Sequence, residues 1–497
     1  MKKRIFAFCV AMVLVLSVCV ALPGCDGQER KLPGWVDGKK NLIFYVFDQV
    51  EYYNEIAQEF NSLEGNEDAN VIIQKAASDY FGDLINSYVG AATPDIVFMQ
   101  VGDILPFLNG KNILLEPLDE YLANSEVLTE EDLWPSNDGY RYNETTKTLD
   151  PAKNNKLYAI IKDFSPDFPL SYNRDAMIAA TTAMGAQGAT IRGKLESFME
   201  NGYPAEIPEG GSPADYTLTW SEYNALALAM KQAGYGSGVV LDGAPELQLL
   251  QWIEMNGEYL FTEDDTQCKD IRNTPAIRAA FDNFRVLQDG PDAATQWVNS
   301  TQPGYQLFKN SLTGSMPMSS MTASTYYGRW AYSQFEWDQN LDKIGYCAPP
   351  LPDDYTYDSE NPNNYSAVGG AMSLAITSKC AHKDLAWKFI EFFMTTVQER
   401  DAETGFNISG NMTIAKEKFL STEGKSEEYN KLNSFFYNLG MNSKTVRMNR
   451  YITQTTFKQI LWQNFEQYFY KPASKTWDEV LDGIRRDLNN EIAKAIG

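Results

Sequence analysis

Apolar residues follow two alternating rhythms along this chain. Leu42-Ile-Phe-Tyr-Val-Phe47 is an uninterrupted apolar run of strand length, closed by Asp48. Glu51 to Phe60 then shifts to helical spacing, with Tyr53, Ile56, Ala57 and Phe60 on one face. The same alternation predicts strands over Asn70 to Lys75 and Pro94 to Met99. It predicts helices over Asp83 to Val89 and Ile104 to Leu108. Apolar strands alternating with amphipathic helices imply a parallel sheet covered on both faces. A second block of the same type begins after Lys156-Leu-Tyr-Ala-Ile-Ile161, where Leu170 to Arg174 reads as a strand entering a helix. Thr219-Trp-Ser-Glu222 and Thr476-Trp-Asp-Glu479 are capping boxes, in which the threonine oxygen takes an orphan amide and the glutamate reaches back. The first predicts a helix to Gln232, ended by Gly234. The second opens a final helix with the stripe Val480, Leu481, Ile484, Leu488 and Ile492. Residues 181–215, rich in Ala, Gly, Thr and Pro, read as a surface excursion, and 353–364 as a polar loop.

The start of the chain has a different pattern. Lys2, Lys3 and Arg4 precede Ile5 to Val20, an apolar run too short to span a membrane comfortably. Leu22-Pro-Gly-Cys25 resembles the lipobox of bacterial lipoproteins. That resemblance implies cleavage before Cys25 and diacylglycerol on its sulfur. Residues 1–24 are then a signal peptide, and 25–40, mixing Gly, Pro and charge, a linker. The expected location is the outer face of a cell membrane, held by lipid.

Composition narrows the functional classes. The 497 residues suffice for two or three domains with sizeable cores. A net charge of −24 repels nucleic acid and anionic ligands at long range, yet it selects no substrate. Cys268, Cys347 and Cys380 are too widely spaced for a disulfide framework and read as small buried apolar residues, with one bridge left open. His382 is the single histidine, which excludes His-pair zinc motifs. Gly188-Ala-Thr-Ile-Arg-Gly-Lys194 nearly spells a phosphate-binding loop, but Leu195 stands where a hydroxyl must hold Mg²⁺, so it reads as plain loop. No Gly-x-Ser-x-Gly elbow occurs, and no cofactor or metal is expected.

Several ordered segments resemble the sugar-type extracellular solute-binding proteins of ABC importers, the maltose-binding-protein-like family. Thr93-Pro-Asp-Ile-Val-Phe98, Asn112 to Leu118, Leu157-Tyr-Ala through Ser171-Tyr-Asn-Arg-Asp175, Thr219-Trp-Ser-Glu222, Val368 to Ile376 and Ala386-Trp-Lys-Phe-Ile390 carry the likeness. Stretches 125–155, 181–215 and 353–365 look like insertions, and Ile161 replaces a usual proline. The resemblance implies an α/β fold of two lobes, each a mainly parallel sheet flanked by helices, with a hinged cleft between them. Lobe 1 is expected over 41–166 and 370–444, and lobe 2 over 167–369 and 445–497. Crossings are expected near Asp163–Leu170, Ala367–Met372 and Met441–Met448. The expected function is a non-catalytic, monomeric receptor that passes an oligosaccharide to an ABC permease. The rival readings are a surface glycoside hydrolase or lyase and a receptor for a peptide or glycerol phosphodiester.

A sugar presents C–H faces to flat rings and hydroxyls to carboxylates and amides. Ligands of open α/β sheets sit beyond the carboxyl ends of strands. Asp48 and Gln49 follow the first strand, and Gln100 and Asp103 the third. Asp242 and Glu246 lie in a loop after Gly238-Val-Val-Leu241, while Tyr326, Tyr327 and Trp330 form an aromatic cluster. Comparison with the family adds Asp79 and Tyr80, and places Trp462 near a family ring position. Trp252 fits a core helix face.

Overall fold

The computed structural model describes residues 32–496, apart from 78–79, 89–92, 111, 242–244, 289–303, 336, 358–367, 405–406, 443–445 and 471–472. The leader, Cys25, Asp79, Asp242 and most of the 353–364 loop therefore lie outside the described residues.

Strands β1 (Lys40–Val46), β2 (Ala69–Lys75) and β3 (Ile96–Met99) pair in parallel, with β1 central among them. Helix α1 (Val50–Ser62) buries Tyr53, Ile56, Ala57 and Phe60, as its spacing predicts. Phe44 on β1 meets the rings of Tyr53, Phe98 and Phe389 edge-on at 5.0–5.6 Å, the geometry that ring quadrupoles favour. Two long strands complete this sheet. They are β7 (Ile160–Asp167) and β11 (Val368–Ile376), and both run antiparallel to their neighbours. With the short β12 (Ile408–Ser409), the order is β12-β7-β11-β3-β1-β2. The parallel expectation thus holds for β1, β2 and β3 only, because β11 returns from a distant part of the chain rather than through a crossover helix.

The second sheet departs further. Its ladders β10-β8-β9, formed by Ile344–Cys347, Leu170–Asn173 and Ser324–Tyr326, are antiparallel. Parallel character appears in the bridges Ser237–Thr322 and Val240–Thr325 beside β9 and in the bridge Thr219–Leu351. The chain leaves the first sheet at Asp167 and enters the second at Leu170, through Phe168 at φ 67° followed by Pro169. Positive φ is uncommon for a bulky residue, so surrounding contacts must hold this turn.

The 181–215 stretch is not a surface excursion. Ala186–Asn201 forms a helix, with Ile191, Leu195 and Phe198 buried along one side. A Cβ on Gly188 would fall 1.9 Å from the Thr181 carbonyl oxygen, so only glycine permits this close approach to the preceding helix, Arg174–Ala183. The near-phosphate-loop sequence is therefore helix rather than loop. Residues 125–155 are likewise ordered. Trp134 stacks on Phe164 at 4.7 Å, and Arg141, buried, binds Asp119 at 3.0 Å, Asp138 at 2.9 Å and also Glu130. Strands β4 (Arg141–Asn143), β5 (Thr148–Leu149) and β6 (Lys156–Leu157) make a small antiparallel sheet there. Cys268, Cys347 and Cys380 are free and buried, and burial pushes the Cys347 thiol up to about 12. Among the described residues, no helix is long and apolar enough to cross a membrane.

Candidate functional site

The site grows from the carboxyl ends of β1 and β3 and from the adjoining stretch of β7. Asp48 and Gln49 are exposed just beyond β1, with Gln49 at φ 51° heading α1. Gln100 immediately precedes α2 (Val101–Leu108), on which Asp103 is buried. Asp103 also lies in the electrostatic neighbourhood of Tyr140, which is buried. Beside them, a bulge between Met372 and Ser373 breaks the β7–β11 ladder, and there Asp163 accepts from the Met372 amide at 3.3 Å. Bulges re-aim side chains in this way.

Lys162 is buried with its ammonium 5.2 Å from the Phe98 ring centre and 5.9 Å from that of Tyr53. It also donates to Asp163. Burial works against this cation, but Asp163 and Tyr53 outweigh the penalty and raise its pKa. The first sheet therefore offers a charged, mutually satisfied wall.

A second group of residues is aromatic. Trp330 is 36% exposed, and its ring meets Tyr327 edge-on at 5.5 Å and Tyr305 at 6.3 Å. Asp167, at the end of β7, accepts from the Trp330 side chain, and Ser165 donates to its carboxylate at 3.2 Å. The Ser165 hydroxyl also accepts from the Arg329 amide at 2.8 Å. A Cβ on Gly328 would sit 1.9 Å from Asp167 Oδ1, so glycine lets this turn close onto the strand. Burial raises the Asp167 carboxyl to about 7, with Asp163 repulsion adding to it and the Ser165 and Trp330 hydrogen bonds opposing. The result is a carboxyl poised near neutrality beside a half-open indole.

A third point of approach lies between the lobes. Gln454 donates to Glu246 Oε1 at 2.9 Å, and a Cβ on Gly102 would lie 2.8 Å from Gln454 Oε1. Glu246 is buried, and its Oε2 has no partner among the described residues.

The sequence-derived residues thus separate into groups. Asp48, Gln49, Gln100 and Asp103 gather at one sheet edge, Trp330 and Tyr327 stand with Asp167, and Glu246 meets Gln454. Tyr80 is spent structurally, since its hydroxyl donates to the Tyr45 carbonyl at 2.9 Å and accepts from the Phe98 amide at 2.7 Å. Tyr326 is 3% exposed and packs edge-on against Tyr223, which leaves no face for a ligand. Trp462 is half-buried on the helix Gln454–Phe469. Sequence reading missed Lys162, Asp163, Asp167, Tyr305 and Gln454. Asp163 and Asp167 stood within the expected crossing and could have been found by asking which polar groups border it.

Two α/β lobes of this kind, joined by crossing strands and lined with polar and aromatic walls, define a solute-binding protein. Residues 48–399 match the bacterial extracellular solute-binding protein family, and the chain belongs to that family. Its fold is similar to that of the sugar-binding protein MalE from Xanthomonas citri, at TM-score 0.64 and 16% identity, covering 91% of this chain and 98% of that one. It is also similar to an ABC substrate-binding protein from Listeria monocytogenes solved with cycloalternan, at TM-score 0.59 and 16% identity, covering 92% and 98%. A cyclic alpha-maltosyl-1,6-maltose binding protein from Arthrobacter globiformis gives TM-score 0.59 and 15% identity, covering 92% and 100%. Comparison with curated protein sequences finds no match.

Proposed function

We propose that this chain is a lipid-anchored, non-catalytic receptor that binds an oligosaccharide between its lobes and presents it to an ABC permease. The carrying observation is the pairing of a half-open indole, Trp330, with the Asp167 carboxylate, at the end of the strand that also carries Lys162 and Asp163. A ring for sugar C–H faces beside acceptors for hydroxyls is what a carbohydrate requires. The cycloalternan and cyclic alpha-maltosyl-1,6-maltose named for two fold relatives, and the sugar binding named for a third, support the same class. Asp48, Gln49, Gln100, Asp103, Glu246 and Tyr327 are proposed contacts, as are Asp79 and Asp242. Ligand touching both walls favours the closed arrangement and shifts the population toward it. The protein works as a monomer, tethered through Cys25.

The test is a calorimetric screen across glycans, peptides and glycerol phosphodiesters, with product analysis of each mixture. Saturable binding of a glycan without turnover is expected. Turnover would establish the hydrolase, and binding of a peptide alone would overturn the sugar class. For the anchor, Cys25→Ser should abolish leader processing and lipid labelling; unchanged labelling refutes it.

A further inference from the structure

Beyond the Trp330 cluster lies a second groove of about 660 Å³, within the size range of small-molecule sites. One bank is the inserted segment, with Pro135, Leu149 and Pro151, together with Val101 and Leu105 of α2. The other bank is Glu254, Tyr259, Glu263 and Asp265, and residues 446–450 close its end. That end of the groove is fastened firmly. Arg447 donates to the Asp265 carboxylate at 2.9 Å and lies 5.3 Å from the Tyr259 ring centre. Arg450 bridges the banks, reaching Asp265 at 3.3 Å and the Thr146 carbonyl at 3.3 Å.

With both arginines engaged on Asp265, they are poorly placed to draw an anion. What the groove offers instead is an apolar lining, a 38% exposed tyrosine ring and carboxylates, of which Glu254 and Asp265 are buried. That combination suits a neutral polyhydroxylated chain with apolar faces. The groove is bordered by α2, which also carries Asp103, and by the helix Pro245–Met255, which also carries Glu246.

We infer that this groove is an extension of the ligand site that seats the outer sugar units of a long oligosaccharide, with Tyr259 as their stacking ring. The inference rests on the proposed carbohydrate function, and it adds a length preference created by the inserted segment. The test uses disaccharide and hexasaccharide members of the α-1,4-glucan, β-1,4-xylan and β-1,4-mannan series, titrated into wild type, Tyr259→Ala and Leu149→Trp. Wild type should favour the hexasaccharide of its series. Tyr259→Ala removes the ring and Leu149→Trp fills the groove. Each should weaken hexasaccharide binding by about tenfold and leave disaccharide affinity unchanged. Equal losses for both lengths, or none, would overturn the extension while leaving the sugar receptor intact. Wild type that binds no member of any series would overturn both.

Discussion

The two walls of the cleft are built from opposite materials. On the first lobe, Lys162, Asp163 and Tyr53 satisfy one another beneath the ends of the strands. On the second, Trp330 presents a ring substantially open to solvent, backed by half-buried Tyr305 and buried Tyr327. A buried charged network fixes positions but gains little by meeting a ligand, because its partners are already in place. An open ring gains by being covered. The first wall should therefore govern folding and ligand orientation, whereas the second should govern affinity.

That division is broken most severely by Lys162→Met, which leaves Asp163 without its cation among aromatic rings. Loss of stability on the order of 3 kcal/mol is expected in ligand-free urea unfolding. A melt indistinguishable from wild type would remove the network from the account. Trp330→Ala should do the reverse. Glycan affinity should fall by about 1–3 kcal/mol in calorimetry, while the ligand-free melt shifts little, since the ring is partly exposed already. Equal damage to stability and affinity would make Trp330 a core residue.

The last expected effect depends on pH and concerns Asp167. Its folded pKa, near 7, exceeds the unfolded value of about 4, so the folded state binds the extra proton. The associated stability is full below the unfolded pKa and drains as pH rises through about 7. Asp167→Asn cannot ionise, so its melting temperature should gain on wild type steadily from acid to neutral pH. A constant gap across that range would contradict the raised carboxyl.

The fold was legible where local pattern and tertiary outcome coincide. Tyr53, Ile56, Ala57 and Phe60 form the buried face of α1, and Thr219 and Glu222 close the capping box that starts Trp220–Gln232. Strand direction was less legible, because the antiparallel entry of β11 depends on pairing between residues some 200 positions apart in sequence. The helix at 186–201 was obscured by its composition, since glycine and threonine lower helix propensity while burial of Ile191, Leu195 and Phe198 overrides it. At the site, the edge residues Asp48 and Gln100 follow directly from strand ends. Asp167 does not, because only the folded turn at Gly328–Trp330 brings the indole to its carboxylate.

The central claim is that ligand bridges the two walls and closes them. Small-angle scattering from the 26–497 fragment, with and without a saturating glycan from the binding screen, tests it directly. Wild type should contract measurably with the sugar, and Trp330→Ala should lose contraction together with affinity. Tight binding with an unchanged radius of gyration would contradict closure and leave a static site on one lobe.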